Sequence, residues 1–167
     1  IPAQYIKKIY RPAEALKRLR VMEQLDPLQQ DVVTFARLVQ QAARLPPDRI
    51  GVSGSVMVDL HGPTSDIDLI VYGREAGQAV QLALRRAHLS PEYGVAGYRM
   101  DTYRPIYNLR WSLTGIPIEV MLRVDAPKSL HGTFGGHHYF VRVVLDWEEV
   151  EEHYGDRTYR PLGYAQA

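Results

Sequence analysis

The seven residues "DIDLIVY", Asp66 to Tyr72, place two carboxylates inside an apolar run. In a β-strand, residues i and i+2 face the same side. Asp66 and Asp68 therefore project together, while Ile67, Leu69 and Val71 pack on the opposite face. Two like charges that close raise each other's pKa or demand a cation. No Lys or Arg lies within the run to neutralise them. A hard divalent cation held by oxygen ligands answers the need, and Mg²⁺ is the natural choice.

The stretch before the run narrows the reading. "RIGVSGS" reads as a short strand ending in a glycine turn, and Ser55 to Leu60 as one or two helical turns closed by His61-Gly62-Pro63. Gly54 lets a backbone approach a ligand closely. Ser55 and the N–H groups after it open the short helix, and such an end attracts anions. A triphosphate seated there would face Asp66 and Asp68, with Ser53 and Ser65 adding hydroxyls. A third acid, Glu119, sits between Ile118 and Val120 in "GIPIEVMLRV". If that stretch is a strand beside Asp66–Tyr72, Glu119 reaches the same cations. Three carboxylates would then hold two Mg²⁺ ions across an in-line phosphoryl displacement. Asp125 is the fallback third acid.

The rest of the chain reads as alternating helices and strands. Pro12 starts a helix over residues 12 to 24. Asp26, Pro27 and Gln29 form a capping box for a second, with Leu28, Val32, Phe35, Val39 and Ala42 at helical spacing. "REAGQAVQLALRRAHL" is an amphipathic helix. Residues 107–124 alternate apolar and polar about Thr114-Gly115, which predicts a β-hairpin. "HGTFGGHHY" reads as a mobile glycine-rich loop, with His131, His137 and His138 as weaker metal candidates. "HHYFVRVVLDW" is a strand, and "WEEVEEHYG" a short acidic helix or turn. The fold class expected is α+β, a mixed sheet flanked by helices. Three segments follow: 1–46, helices packing on the core; 47–125, the core; and 126–167, a strand and loop extension that could open a further domain.

Composition excludes more than it identifies. The net charge is +1, so bulk charge does not point to nucleic acid. The 16 Arg against 4 Lys suit phosphate contact, although a GC-rich genome produces the same bias. "YRMDTYRPIYNLRW" interleaves Tyr and Arg as base-stacking surfaces do, and equally as a loop feeding a half-buried strand does. With no cysteine, disulfides, thiolate metal sites and thiol nucleophiles are excluded. No apolar run approaches the roughly 20 residues of a membrane span. No signal peptide is visible, so a cytoplasmic location is expected. The start at Ile1 and the ending "YRPLGYAQA" read like a piece of a longer protein.

Gly54-Ser55, ten residues, Asp66-Ile67-Asp68-Leu69 and a later Glu119 together resemble the DNA polymerase beta-like nucleotidyltransferase superfamily, in its small or minimal form. The resemblance runs from about Ile50 to Val124. It implies that Gly54 and Ser55 bind the β- and γ-phosphates of an NTP, and that Asp66 and Asp68 bind both metal ions. Glu119, where relatives often carry Asp, would join the ion that activates the attacking hydroxyl. The implied reaction moves a nucleoside monophosphate from an NTP to a hydroxyl and releases pyrophosphate, with Mg²⁺, or Mn²⁺ in its place. The acceptor is left open among RNA, a small molecule and a protein, as is the oligomeric state. Two alternatives stand beside the enzyme. One is a non-catalytic nucleotide- or RNA-binding module on the same scaffold. The other is the antitoxin-like partner of a two-protein system.

Overall fold

A computed structural model describes residues 2–151 and residue 156. It is an α+β fold built on one five-stranded mixed sheet. The strands are β1 (Ile50–Val52), β2 (Ile67–Tyr72), β3 (Val95–Ala96), β4 (His131–Phe134) and β5 (His137–Val144), in the order β1-β2-β5-β4-β3. β1 runs antiparallel to β2, with Val52 opposite Leu69. β2 runs parallel to β5, with Asp68 opposite Phe140 and Ile70 opposite Arg142. β4 returns antiparallel to β5, and β3 lies antiparallel to β4.

The period-2 pattern of β2 and β5 sets the two faces. Ile67, Leu69, Val71, Tyr139 and Val141 point to one side and are buried. Helices α1 (Pro12–Val21), α2 (Pro27–Ala42) and α4 (Arg74–Ala87) cover that side. Asp26 caps α2 as its sequence promised: its carboxylate accepts the Gln29 N–H at 2.9 Å, and the Gln29 side chain accepts the Asp26 N–H at 3.1 Å. Phe35 then meets Phe134 and Tyr139, with ring centroids 5.0 and 4.6 Å apart. α1 lies so close to β1 that a Cβ on Gly51 would overlap the Pro12 backbone.

The other face carries Asp66, Asp68, His138, Phe140 and Arg142, by the same alternation. Helices α5 (Met100–Arg110) and α6 (Ile118–Asp125) roof its β4–β5 side. Tyr98, Tyr103 and Ile106 bury against Phe140, and Ile118, Met121 and Leu122 close the cluster. The hairpin expected over residues 107–124 is therefore corrected to two helices joined by a short turn. Tyr103, Ile106 and Tyr107 are spaced i, i+3, i+4, as are Ile118, Met121 and Leu122. Each set makes a helical stripe with a place to bury, and no strand of the sheet pairs with these residues.

The glycine-rich segment is likewise not a loop. His131–Phe134 and His137–Val144 are strands, and Gly135-Gly136 is the tight turn between them, with φ of +59° and +86°. The stretch after residue 125 thus supplies the sheet's middle strands. Trp147–Glu149 forms one 3-10 turn; Val150 and Glu151 do not continue it, and residues 152–155 of the expected acidic helix lie outside the described residues.

Candidate active site

The site is assembled at the ends of β1 and β2. Ser53 donates its N–H to the Asp68 carbonyl at 2.9 Å, one step beyond the β1–β2 ladder. The chain then turns through Gly54 at φ +62°, a left-handed conformation that favours glycine. A Cβ on Gly54 would overlap the Asp68 carboxylate. Glycine is needed here twice, for the turn and for the approach. It opens helix α3 (Gly54–Met57), a single turn whose first N–H groups have no acceptor within the helix. The Ser53 hydroxyl makes no capping bond to them. Backbone donors and the Asp68 carboxylate thus meet at one turn, which also carries Ser53 and Ser55.

Asp66 and Asp68 project from the same face, as the strand period requires. Burial, and then the neighbouring Asp66 charge, push the Asp68 carboxyl above the ordinary aspartate range, while Arg142 and Arg110 pull it back. A guanidinium nitrogen of Arg110 lies 3.5 Å from Asp66 Oδ2. Its carbon lies 4.3 Å from the centre of the Phe140 ring, within cation–π range. This donor set fits a hard cation: two carboxylates on one face, Asp68 in β2 and Asp66 just before it, with Asp68 disfavoured as a bare anion. Among the described residues, no group of three or more His, Asp or Glu side chains gathers in metal-binding geometry.

The other residues singled out from sequence fall in different places. Ser65 closes the loop before β2: its hydroxyl accepts the Gly62 N–H at 3.0 Å, and its carbonyl accepts from His137 Nδ1 at 3.2 Å. His61 and His137 reach Asp26 and Asp31 at 2.7 and 3.7 Å, pinning that loop and the β4–β5 turn to α2. Glu119 is corrected from a strand to the exposed first turn of α6. The strand beside β2 is β5, and there His138, Phe140 and Arg142 hold the positions from which a third carboxylate would reach Asp66 and Asp68. Asp125 is buried, accepts from Tyr103 Oη at 2.6 Å and pairs with Lys128 at 2.8 Å. Its bonds are spent on holding α6 to α5.

Phe140 and Arg142, on the strand beside the two aspartates, are residues that sequence reasoning missed, whereas Arg110 belongs to the Tyr- and Arg-rich stretch it had picked out. A signal for Arg142 was present: it is a lone cation in the apolar run "YFVRVV", the mirror of the argument made for Asp66 and Asp68.

The chain is similar to the uncharacterized protein MJ1086 of Methanocaldococcus jannaschii, at 26% identity over 166 residues. The match takes in 99% of this chain and 48% of that protein, so the chain spans about half the length of this curated relative. No solved structure matches it. Among the described residues, no helix is long and apolar enough to cross a membrane. Residues 36–121, which hold α3, β2 and both aspartates, match the family described as "Nucleotidyltransferase domain". The chain belongs to that family, the polymerase beta-like minimal nucleotidyltransferases.

Proposed function

We propose that the chain is a divalent-metal-dependent nucleotidyltransferase whose working site is the Gly54–Ser55 turn facing Asp66 and Asp68. The observation that carries this reading is the packing of Gly54 against the Asp68 carboxylate. It leaves a phosphate-binding backbone and a metal-binding side chain no room to be apart. Asp66 and Asp68 would hold a Mg²⁺ ion, which takes few protein carboxylates and completes its shell with water and phosphate oxygens. Bound there, the cation supplies charge neutralisation to the phosphates. The N–H groups of Ser55 and Val56 and the Ser53 and Ser55 hydroxyls orient the β- and γ-phosphates. The acceptor hydroxyl oxygen bonds to the α-phosphorus as the bond to the bridging oxygen breaks. Pyrophosphate leaves with the electron pair, and the hydroxyl proton passes to solvent.

The test uses α-labelled NTPs with Mg²⁺ and candidate acceptors, following label transfer and pyrophosphate. Asp66→Asn and Asp68→Asn should each abolish both signals while the circular dichroism spectrum is retained. Transfer at the wild-type rate by either variant would refute the assignment.

One observation favours a second reading, a nucleotide-binding module without turnover: among the described residues, no third carboxylate joins Asp66 and Asp68 in metal-binding geometry. In that case NTP with Mg²⁺ raises the melting temperature by mass action, yet pyrophosphate never appears with any acceptor.

A further inference from the structure

A cavity of ≈ 220 Å³ lies between the β4–β5 face and the α5–α6 roof. It is lined by Arg110, Arg142, Lys128 and His131, with the rings of Tyr98 and Phe140. Its one lining carboxylate, Asp125, already accepts from Lys128 and Tyr103. Arg110 is shared with Asp66 at 3.5 Å, which leaves Arg142 as the cationic surplus. Arg142 forms no ion pair among the described residues. It lies two residues along β5 from Phe140, so both side chains leave the same face of the sheet. Arg110, stacked on Phe140, reaches from this cavity to Asp66.

We propose that this cavity binds the phosphate group of a small phosphorylated acceptor, held by Arg110 and Arg142. The proposal rests on the nucleotidyl-transfer reading above and names the acceptor class for it. Strand order supports the side chosen. β1, with Gly54 and Ser55, flanks β2 on one side, and β5, with Phe140 and Arg142, flanks it on the other. In an in-line displacement the attacking and leaving oxygens lie on opposite sides of phosphorus. A leaving pyrophosphate on the β1 flank puts the attacking hydroxyl on the β5 flank, beside the arginines. Their planar forks match phosphate oxygens in pairs. A cation held by Asp66 would also release Arg110 from its present partner, so metal and phosphate binding reinforce each other. The volume is below the roughly 300–1,000 Å³ of ordinary ligand pockets. It suits a phosphate with a small sugar-sized body and not a nucleic-acid strand. The acceptor's own phosphate is a handle and takes no part in bond making.

The experiment titrates the chain with ribose 5-phosphate and with ribose, by calorimetry, in the presence of Mg²⁺ and a saturating non-hydrolysable NTP analogue. Binding of the analogue itself is measured first. Ribose 5-phosphate should bind at least about tenfold tighter than ribose, and alongside the analogue. Arg142→Ala should weaken it about ten- to hundredfold, the range of a hydrogen bond to a charged group, and Arg142→Lys should recover part of the loss. Equal binding of ribose and its phosphate overturns the proposal, as does Arg142→Ala at wild-type affinity. Displacement of ribose 5-phosphate by the analogue overturns it too, by making the cavity the NTP's own phosphate site. So does displacement by a single-stranded oligonucleotide lacking terminal phosphates, in favour of a nucleic-acid surface. If the analogue fails to bind, the nucleotidyl-transfer reading falls, whereas failure of ribose 5-phosphate alone removes only the acceptor assignment.

Discussion

Replacing Gly54 by alanine tests the site at its tightest point. At φ +62° an L-residue pays about 1–2 kcal/mol relative to glycine. The new Cβ also overlaps the Asp68 carboxylate. Overpacking of this kind adds about 1–3 kcal/mol, and the lower end applies because a carboxylate at a half-buried position can swing aside. The expected loss is then about 2–3 kcal/mol. For a chain of this size that is a fall in melting temperature of about 4–12 °C. The swing matters more than the strain, because it turns Asp68 away from the Gly54–Ser55 turn. Mg²⁺-dependent NTP binding should therefore fall well beyond what the stability loss accounts for at a temperature where the variant is folded. Gly62→Ala is the internal control: a Cβ there meets nothing within 4 Å, and its φ is ordinary. It should leave stability within about 1 kcal/mol of wild type, on the stabilising side. Urea denaturation and calorimetric titration of both variants decide the matter. A Gly54→Ala variant that melts and binds NTP like wild type would show that Gly54 is not wedged against Asp68, and the site as described would be wrong.

Four further outcomes are expected. Asp68→Asn should raise the melting temperature in metal-free buffer at neutral pH, since the fold disfavours the charged carboxylate, and should erase stabilisation by Mg²⁺ with NTP in the same thermal scan. Glu119→Gln should leave both nucleotide binding and any transfer rate within about twofold, because the side chain lies on the exposed turn of α6; a tenfold loss would reinstate it. Phe35→Ala removes a fully buried ring and should cost about 3–5 kcal/mol in urea unfolding. Burial holds His88, His131 and His138 below the usual histidine range. Their folded-state pKa values lie under the unfolded value of 6.5, so the stability they confer is complete above that pH and is lost as pH falls below it. The slope of unfolding free energy between pH 7 and 5 should shrink in His88→Asn, which removes the ring whose Nε2 meets Tyr139 Oη at 2.6 Å.

Local chemistry made much of this molecule legible. The α2 capping box, the α4 stripe and the β2 alternation are each decided within a dozen residues, and the structure follows them. Asp66 and Asp68 were legible for the same reason, since a strand fixes which side chains share a face. Residues 107–124 were not, because their pattern satisfies both periods. Phe140, far along the chain, gives the helical stripe its burial site. Glu119 was misplaced with them. "HGTFGG" was misread because glycines were taken as a sign of mobility; Gly132 in fact sits where a Cβ would overlap the Ala96 carbonyl and crowd the Tyr139 ring. The Arg110–Phe140–Asp66 contact depends on which strand neighbours β2, and no local pattern reveals that.

The parallel pairing of β2 with β5 sets the order in which the chain can be completed. Asp68 and Phe140 are about seventy residues apart, and contacts of such separation form late because loop closure precedes their reward. β1 and β2 need only the short Gly54-to-Asp66 connection. On a ribosome, the Gly54–Ser55 turn and both aspartates can assemble while Arg142 is still unmade. During that interval β2 carries an unpaired edge beside Ile67, Leu69 and Val71, a template for wrong partners. A chain released before β5 is synthesised would present that edge permanently. Truncation between β2 and β5 should therefore produce aggregate rather than a smaller soluble domain.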